Sequence, residues 1–181
     1  SAELRRGRDA AERVLNALEA VPRHEFVRPA RESDAYADRP LPIGANQTIS
    51  APHMVAVMAD LLHIEPDDGV LEIGTGCGYH AAVTTELGAE VYSVEYHDDL
   101  AAAARKRLDA FGYDIHVRAG DGRDGWPEHA LYDACYLTCA APAVPTSLFE
   151  QVRPGGVPLA PVGAPTQPLG RVVARDRSPA P

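Results

Sequence analysis

Apolar residues recur at helical spacing near the start of the chain. Placed on a helix, residues 2–20 form one apolar face on an otherwise charged surface. The residues of that face are Ala11, Val14, Leu15 and Leu18. Val21-Pro22 ends the pattern, so we predict an amphipathic helix over Ala2–Ala20 that covers the rest of the domain.

Residues 22–49 show little periodicity and are rich in proline, arginine and aspartate. This composition predicts an ordered loop region with short turns, and long loops in compact domains often carry function. A second helix is predicted to follow, capped at or beside Ser50 and with Pro52 in its first turn. Its apolar residues are Met54, Val55, Val57, Met58, Leu61 and Leu62.

From residue 70 onward, short apolar segments alternate with helical ones. The predicted strands are Val70–Ile73, Val91–Val94, Ile115–Arg118, Tyr132–Leu137, Val157–Val162 and Leu169–Ala174. The predicted helices are Tyr79–Leu87, Asp98–Phe111 and Pro145–Val152. Pro158 and Pro161 mark one strand as irregular or close to a sheet edge. The alternation predicts a doubly wound, mostly parallel α/β sheet, Rossmann-like, with helices on both faces and a ligand crevice at the carboxyl ends of the strands.

The length of 181 residues fits one domain with one core. We expect that domain to span residues 1–175, with the first helix and the loop region at 1–50 and the Rossmann-like core at 51–175. Residues 176–181 are predicted to form a disordered tail.

Charge and cysteine content restrict the partners and the compartment. Lysine and arginine number 17 against 26 acidic residues, and the net charge of −9 disfavours nucleic acid. No apolar run approaches the roughly 18 residues of a membrane span, and the Arg-rich opening is unlike a secretory signal. The three cysteines and seven histidines show no disulfide-framework or metal-ligand spacing. We expect a cytoplasmic monomer without a metal, a nucleic-acid partner or a membrane partner.

The strongest local signal is the glycine-rich segment Glu72–Gly78, which follows a predicted strand and opens a helix. Glycine lets the backbone turn sharply and approach a ligand closely. The spacing is GxGxG rather than the GxGxxG of dinucleotide sites, because Tyr79 stands where the third glycine would be. Glu95 ends the next strand, where a carboxylate can accept hydrogen bonds from both ribose hydroxyls of an adenosine.

Three further residues have both a structural and a functional interpretation. Asp121, after the third strand, is either a turn residue or a carboxylate that meets an adenine amino group. Ser50 is either a helix cap or an active-site hydroxyl. Cys77, inside the glycine turn, is expected to be a small packing residue rather than a reactive thiol.

Several segments together resemble the successive motifs of protein-L-isoaspartate (D-aspartate) O-methyltransferases over roughly residues 10–163. They are Val21–Val27, Ala35–Gly44, Gln47–Met54, Val70–Tyr79, Gly120–Gly122, Tyr132–Ala134, Thr138–Pro142 and Arg153–Gly156. The glycine motif is common to many methyltransferases, whereas the segment Gln47–Met54 is close to diagnostic of this family.

The resemblance implies S-adenosylmethionine as the cofactor and assigns roles by position. Glu72, Gly74, Thr75, Gly76 and Gly78 would shape the methionine and ribose part of the pocket. Glu95 would hold the ribose, and Asp121 with Gly122 would flank the adenine. The catalytic positions would be Thr48 and Ser50, where the cofactor meets the substrate carboxylate.

The activity implied is methyl transfer to the free carboxylate of L-isoaspartyl residues in damaged proteins and peptides, which begins their repair through a succinimide. Such a carboxylate, with a reference pKa near 4, is ionised at neutral pH and needs no general base. Alternatives are a methyltransferase of this fold with another carboxylate or small-molecule substrate, a non-catalytic S-adenosylmethionine-binding protein and, more remotely, a nicotinamide dehydrogenase.

Two features depart from the family pattern. Asn46 stands where relatives often carry glycine, and asparagine also accepts left-handed backbone angles. Family members usually continue through a further strand after the one matching Leu169–Ala174, so a sheet edge or part of the substrate wall is expected to be missing.

Overall fold

The computed structural model describes residues 2–139, 144–162 and 171–174, and the predicted tail at 176–181 lies outside them. The α-helices are α1 (Ala2–Ala20), α2 (Pro52–Leu62), α3 (Tyr79–Glu86), α4 (Asp98–Ala110) and α5 (Thr146–Glu150). The strands are β1 (Leu41–Gly44), β2 (Gln47–Ile49), β3 (Gly69–Ile73), β4 (Glu90–Glu95), β5 (Ile115–Ala119), β6 (Tyr132–Leu137), β7 (Val152–Val162) and β8 (Arg171–Ala174). None of the described helices is long and apolar enough to cross a membrane.

The main sheet confirms the predicted doubly wound α/β fold. Its strand order is β5-β4-β3-β6-β7-β8, in which neighbours from β5 to β7 pair in parallel and β8 pairs with β7 in the antiparallel sense. The order reverses beside β3, because the chain moves outward to β4 and β5 and then crosses back to β6. A crevice therefore opens at the carboxyl end of β3, the switch point where such sheets bind ligands.

The strand β7 carries the irregularity that its prolines predict. Tyr132 pairs with Val152, but the next pair is Ala134 with Val157, so three extra residues of β7 are accommodated in a register shift. The strand begins at Val152 rather than at the predicted Val157, because pairing with β6 starts before the shift.

The sheet has a different cover on each face. Buried residues of α1, α2, α3 and α4 form one apolar cluster with Val70, Val91 and Ala134 of the sheet. On the other face, Leu71, Val94 and neighbouring residues pack with Leu148 of α5 and with the partly buried Trp126. Helices therefore lie on both faces of the sheet, as predicted. In the described part of the chain, the second face is covered by the short helix α5, whereas the first is covered by four helices.

The loop region before α2 contains more regular structure than its composition predicts. It forms 3₁₀ helices at Arg23–Phe26 and Pro29–Asp34, followed by the antiparallel hairpin β1–β2. The hairpin turn places Ala45 (φ 48°) and Asn46 (φ 56°) in the left-handed region, so Asn46 adopts the conformation that the sequence allows for it.

Candidate functional site

A cavity of about 880 Å³ opens at the carboxyl ends of the central strands. It lies between the glycine turn after β3, the end of β4, the loop after β5, the end of β6 and the segment from Asn46 to Ser50. Most residues predicted for the site line it: Thr48, Ser50, Gly74, Thr75, Gly76, Glu95, Asp121 and Gly122. The remaining ones, Glu72 and Gly78, lie behind the wall.

Neighbouring strands fix the glycine turn in place on both sides. The backbone N–H of Gly74 donates to the Val94 carbonyl at 2.8 Å, and the Thr138 hydroxyl donates to the Gly74 carbonyl at 2.5 Å. Gly74 has φ +95°, and a Cβ at this position would collide with Oγ1 of Thr138. Only glycine therefore fits the turn, and the backbone it exposes can approach a ligand closely.

Glu95 is held in the cavity wall by backbone donors. Its Oε2 accepts from the N–H of Gly76 at 2.8 Å, and its Oε1 accepts from the N–H of His97 at 3.0 Å. The side chain is buried, with 4% of the residue exposed. Each carboxylate oxygen keeps capacity for a further hydrogen bond, so Glu95 can accept from two adjacent hydroxyl groups such as those of a ribose.

Asp121 lies at the rim and is engaged by a residue that sequence reasoning missed. Arg123 donates to it from its backbone N–H at 2.9 Å and from its Nε at 3.0 Å. The Arg123 hydrogen bonds hold the pKa of Asp121 well down, at about 2. An adenine amino group would therefore meet an ionised carboxylate that it shares with an arginine, whose own side chain is 79% exposed.

Glu72 supports the turn from beneath instead of facing the cavity. It is fully buried, and it accepts hydrogen bonds from Ser93 Oγ and from the Tyr136 hydroxyl, each at 2.6 Å. Ser93 in turn lies 2.5 Å from Oγ1 of Thr75, a residue of the cavity wall. Burial raises the pKa of Glu72 to about 7.

Gly78 is the N-cap residue of α3, with φ +91°, and lies against α4. A Cβ there would approach the side chain of Leu108 to 3.1 Å. The roles predicted for Gly78 and Glu72 in shaping the cofactor pocket stay predictions, because neither residue lines the cavity.

The segment that carries Ser50 is anchored by Arg23, a second residue that sequence reasoning missed. Arg23 is 1% exposed, and its Nη2 donates to the Ser50 carbonyl at 2.7 Å while its Nε donates to the Ala35 carbonyl at 2.6 Å. Its guanidinium carbon lies 4.8 Å from the centre of the Tyr79 ring. One buried cation thus fixes the backbone at Ser50.

The side chain of Ser50 does not cap α2. The N-cap position is Ala51, and no side-chain hydrogen bond closes that end of the helix. The interpretation of Ser50 as a helix cap is therefore wrong, because the helix begins one residue too late for it. Ser50 is instead a half-buried residue of the cavity wall.

The start of α2 is held from outside the cavity by Asp38. Its Oδ1 accepts from the backbone N–H of His53 at 3.0 Å and lies 2.7 Å from the ring Nδ1. These hydrogen bonds lower the pKa of Asp38. His53, which belongs to the motif around Ser50, is exposed and braces this segment without lining the cavity.

The cavity contains two thiols, at Cys77 and Cys139. Cys77 is buried, and burial raises its thiol pKa, so the group stays protonated and packs like a small apolar residue. No cluster of three or more metal-ligating side chains occurs in the part of the chain that the structure describes.

The fold and this cavity define a class I S-adenosylmethionine-dependent methyltransferase. A solved protein-L-isoaspartate O-methyltransferase matches with a TM-score of 0.75 and 30% identity over 83% of this chain and 50% of that one. A second solved structure, from Plasmodium falciparum and in complex with S-adenosyl-L-homocysteine, matches with a TM-score of 0.72 at 21% identity over 85% and 78% of the two chains.

The chain belongs to the protein-L-isoaspartate (D-aspartate) O-methyltransferase family, whose model matches residues 2–179. A relative named protein-L-isoaspartate O-methyltransferase from Salinibacter ruber is 52% identical over 88% of this chain and 70% of its own length. One from Archaeoglobus fulgidus is 49% identical over 97% and 81%. The protein is thus an enzyme that uses S-adenosylmethionine, and its function is methyl transfer to isoaspartyl residues, as the resemblance implied.

Proposed function

We propose that the cavity carries out this transfer with Ser50 and Thr48 at the point where cofactor and substrate meet. The observation that supports the proposal is that both residues share one cavity with the glycine turn and with Glu95. The turn and Glu95 belong to the sheet, whereas Thr48 and Ser50 come from the hairpin segment. Two reactants bound to these two parts would therefore face each other.

The cofactor would lie across the carboxyl ends of β5, β4 and β3. Its ribose hydroxyls would bond to Glu95, and its adenine would lie beside Asp121 and Gly122. Its methionine portion would cross the backbone of Gly74 and Thr75, where no side chain blocks a close approach. The cofactor supplies an activated methyl group on a sulfonium sulfur.

The substrate carboxylate is the nucleophile and is already ionised. One of its oxygens forms a bond to the methyl carbon while the bond from that carbon to sulfur breaks, and the electron pair stays on sulfur. The products are a methyl ester and S-adenosylhomocysteine. Ser50 would donate a hydrogen bond that aims the carboxylate, and alignment of this kind contributes several kcal/mol to catalysis.

The methyl ester then enables repair without further help from the protein. The methyl ester is a better electrophile than the carboxylate, because methoxide leaves far more readily than oxide. The neighbouring backbone nitrogen therefore attacks the ester carbonyl carbon and closes a succinimide, while methoxide leaves as methanol with the proton of that nitrogen. Hydrolysis of that ring returns a part of the material as normal aspartate.

The experiment that tests the proposal measures labelled methyl transfer to a peptide that contains isoaspartate and to the same peptide with aspartate. We expect label on the first peptide alone, at low or at high salt. Label on neither peptide, in a protein that still binds S-adenosylhomocysteine, would favour the non-catalytic alternative. Label on a different carboxylate only would favour the altered-substrate alternative.

The same proposal includes the setting in which the enzyme works: a monomer in the cytoplasm, without nucleic-acid or membrane partners. The net charge of −9 disfavours polyanions. Cys77, Cys135 and Cys139 are unpaired thiols, which suits a reducing compartment. Light scattering after size exclusion, where we expect the mass of one chain, tests the monomer.

A further inference from the structure

His80 is a buried polar side chain that lines the cavity and has no role in the proposed reaction. It stands in the first turn of α3, it is 6% exposed and it lines the cavity. Its ring nitrogens, Nδ1 and Nε2, are both buried, and neither has a hydrogen-bond partner among the described residues. Buried polar atoms are nearly always paired, so a partner from outside the protein is expected here.

The imidazole is neutral at physiological pH because burial lowers its pKa to about 3. A neutral imidazole carries one N–H donor and one acceptor nitrogen. It can therefore donate to a carboxylate or accept from an ammonium group, and it brings no charge of its own into the cavity.

The position of the ring indicates which part of the cofactor it meets. It packs on Tyr136 of β6, with 4.6 Å between the ring centres. Glu95, the ribose ligand, ends β4 on the opposite side of β3. A cofactor whose ribose is at β4 and whose adenine is near β5 must extend over β3 toward β6. The end that reaches His80 is then the amino-acid end.

We propose that a ring nitrogen of His80 forms a hydrogen bond to the amino-carboxylate end of S-adenosylmethionine, directly or through one water molecule. This inference rests on the proposed orientation of the cofactor and adds a residue that distinguishes the complete cofactor from fragments that lack its amino acid. The amino-carboxylate group supplies both an acceptor and a donor, so it complements the neutral ring.

The test compares two ligands that differ in the group concerned. S-adenosylhomocysteine carries the amino acid, whereas 5′-methylthioadenosine has the same nucleoside and sulfur without it. The variant is H80F, which keeps an aromatic ring against Tyr136 and removes both polar atoms. The matched control is H116F, because exposed His116 packs on Tyr92 with the same 4.6 Å between ring centres and does not line the cavity.

We expect H80F to bind S-adenosylhomocysteine about tenfold more weakly in calorimetry, a loss typical of one hydrogen bond to a charged group. Its affinity for 5′-methylthioadenosine should stay within about twofold of wild type. H80Q, which keeps a donor and an acceptor, should recover most of the lost affinity. The control H116F should bind both ligands as wild type does.

An unchanged affinity of H80F for S-adenosylhomocysteine would overturn the proposal, and so would an equal loss for both ligands. If H80F does not fold, imidazole nitrogen NMR of the wild-type protein gives the answer. S-adenosylhomocysteine should shift the His80 ring signals and 5′-methylthioadenosine should not, and equal shifts would contradict the proposal. Failure of the wild-type protein to bind either ligand would instead count against the proposed cofactor site as a whole.

Discussion

The two halves of the cavity that we assign to the cofactor and to the substrate are built in different ways. In the cofactor half, the glycine turn donates from Gly74 to the Val94 carbonyl and from Gly76 to the Glu95 carboxylate, and both Glu95 and Thr75 are buried. In the substrate half, Gln47 and Thr48 are exposed, and the backbone at Ser50 depends on the side chain of a distant residue, Arg23. The first half is part of the sheet, and the second is attached to it.

This difference fits the two ligands. A cofactor of constant structure suits a pocket that the backbone preorganises, because every hydrogen bond can be placed in advance. Damaged peptides differ in sequence around the isoaspartate, so a pocket on a loop with few anchors suits them better. Changes in the cofactor half should therefore weaken cofactor binding, and changes in the substrate half should slow methyl transfer with little effect on cofactor binding.

The largest effect is expected for Gly74→Ala. The new methyl group would collide with Thr138 and would occupy a left-handed backbone position, so affinity for S-adenosylhomocysteine should fall about a thousandfold, roughly 4 kcal/mol. The matched control is Gly112→Ala, because Gly112 has φ +76° and open space around it. Calorimetry should show normal affinity for the control, and equal affinities of the two variants would contradict the steric argument.

A change in stability with pH is expected from Glu72→Gln. The folded pKa of Glu72, about 7, lies above its ordinary value of 4.5, so the unfolded chain releases this proton first. As the pH rises from 4.5 to 7, ionisation of Glu72 in the unfolded chain therefore lowers the free energy of unfolding of the wild-type protein. The variant has no ionisable group at this position, so its free energy of unfolding does not change for this reason. The difference in unfolding free energy should move in favour of the variant by up to about 3 kcal/mol across that range.

Urea denaturation at several pH values measures this difference. The exposed Glu12 provides the control, because E12Q should track the wild-type curve at every pH. A difference for E72Q that stays constant between pH 4.5 and 7 would show that Glu72 does not hold its proton in the folded protein.

A smaller loss is expected for Glu95→Gln. The amide group would turn a donor toward the backbone N–H of Gly76 or of His97 and would lose one acceptor for the ribose. Affinity for S-adenosylhomocysteine should drop about thirtyfold, roughly 2 kcal/mol. Glu90→Gln, on the same strand with a side chain that is 58% exposed, should bind normally. Equal affinities of both variants for S-adenosylhomocysteine would show that Glu95 does not bind the ribose.

The smallest of these effects concerns the substrate half, with Arg23→Lys. Lysine keeps the charge but lacks the planar guanidinium whose Nε and Nη2 donate to the carbonyls of Ala35 and Ser50, so the backbone at Ser50 becomes less well fixed. We expect kcat/KM for an isoaspartyl peptide to fall about tenfold, roughly 1.4 kcal/mol, with the affinity for S-adenosylhomocysteine within about twofold of wild type. The half-exposed Arg31 provides the control variant R31K. A loss of affinity for S-adenosylhomocysteine with unchanged methyl transfer would contradict the assignment of Arg23 to the substrate half.

The parts of the molecule that could be predicted from sequence are those whose signals are local. The helix at Ala2–Ala20 and the strand at Tyr132–Leu137 have the predicted bounds, because hydrophobic patterning and, for the helix, the following Pro22 define them locally. The glycine turn could also be predicted from sequence, since the glycine spacing that identifies it lies within seven consecutive residues at 72–78.

The parts that sequence did not reveal depend on contacts between distant residues. Arg23 lies in the family-like segment Val21–Val27, but that segment assigns it no role, which comes from its hydrogen bonds to the carbonyls of Ala35 and Ser50. The three-residue strand β2 is too short for a periodic signal. The motif predicts that Glu72 shapes the pocket, but in the sheet Glu72 pairs with Ser93 and Tyr136, which are also its hydrogen-bond donors.

The division of the cavity is tested most directly by Ser50→Ala, with methyl transfer and cofactor binding measured on the same preparation. Ser33→Ala, at an exposed serine outside the cavity, serves as the control. We predict that Ser50→Ala lowers kcat/KM for the isoaspartyl peptide about tenfold and leaves the affinity for S-adenosylhomocysteine within about twofold of wild type. Unchanged transfer, or an equal loss in transfer and cofactor affinity, would contradict the separation of the two halves.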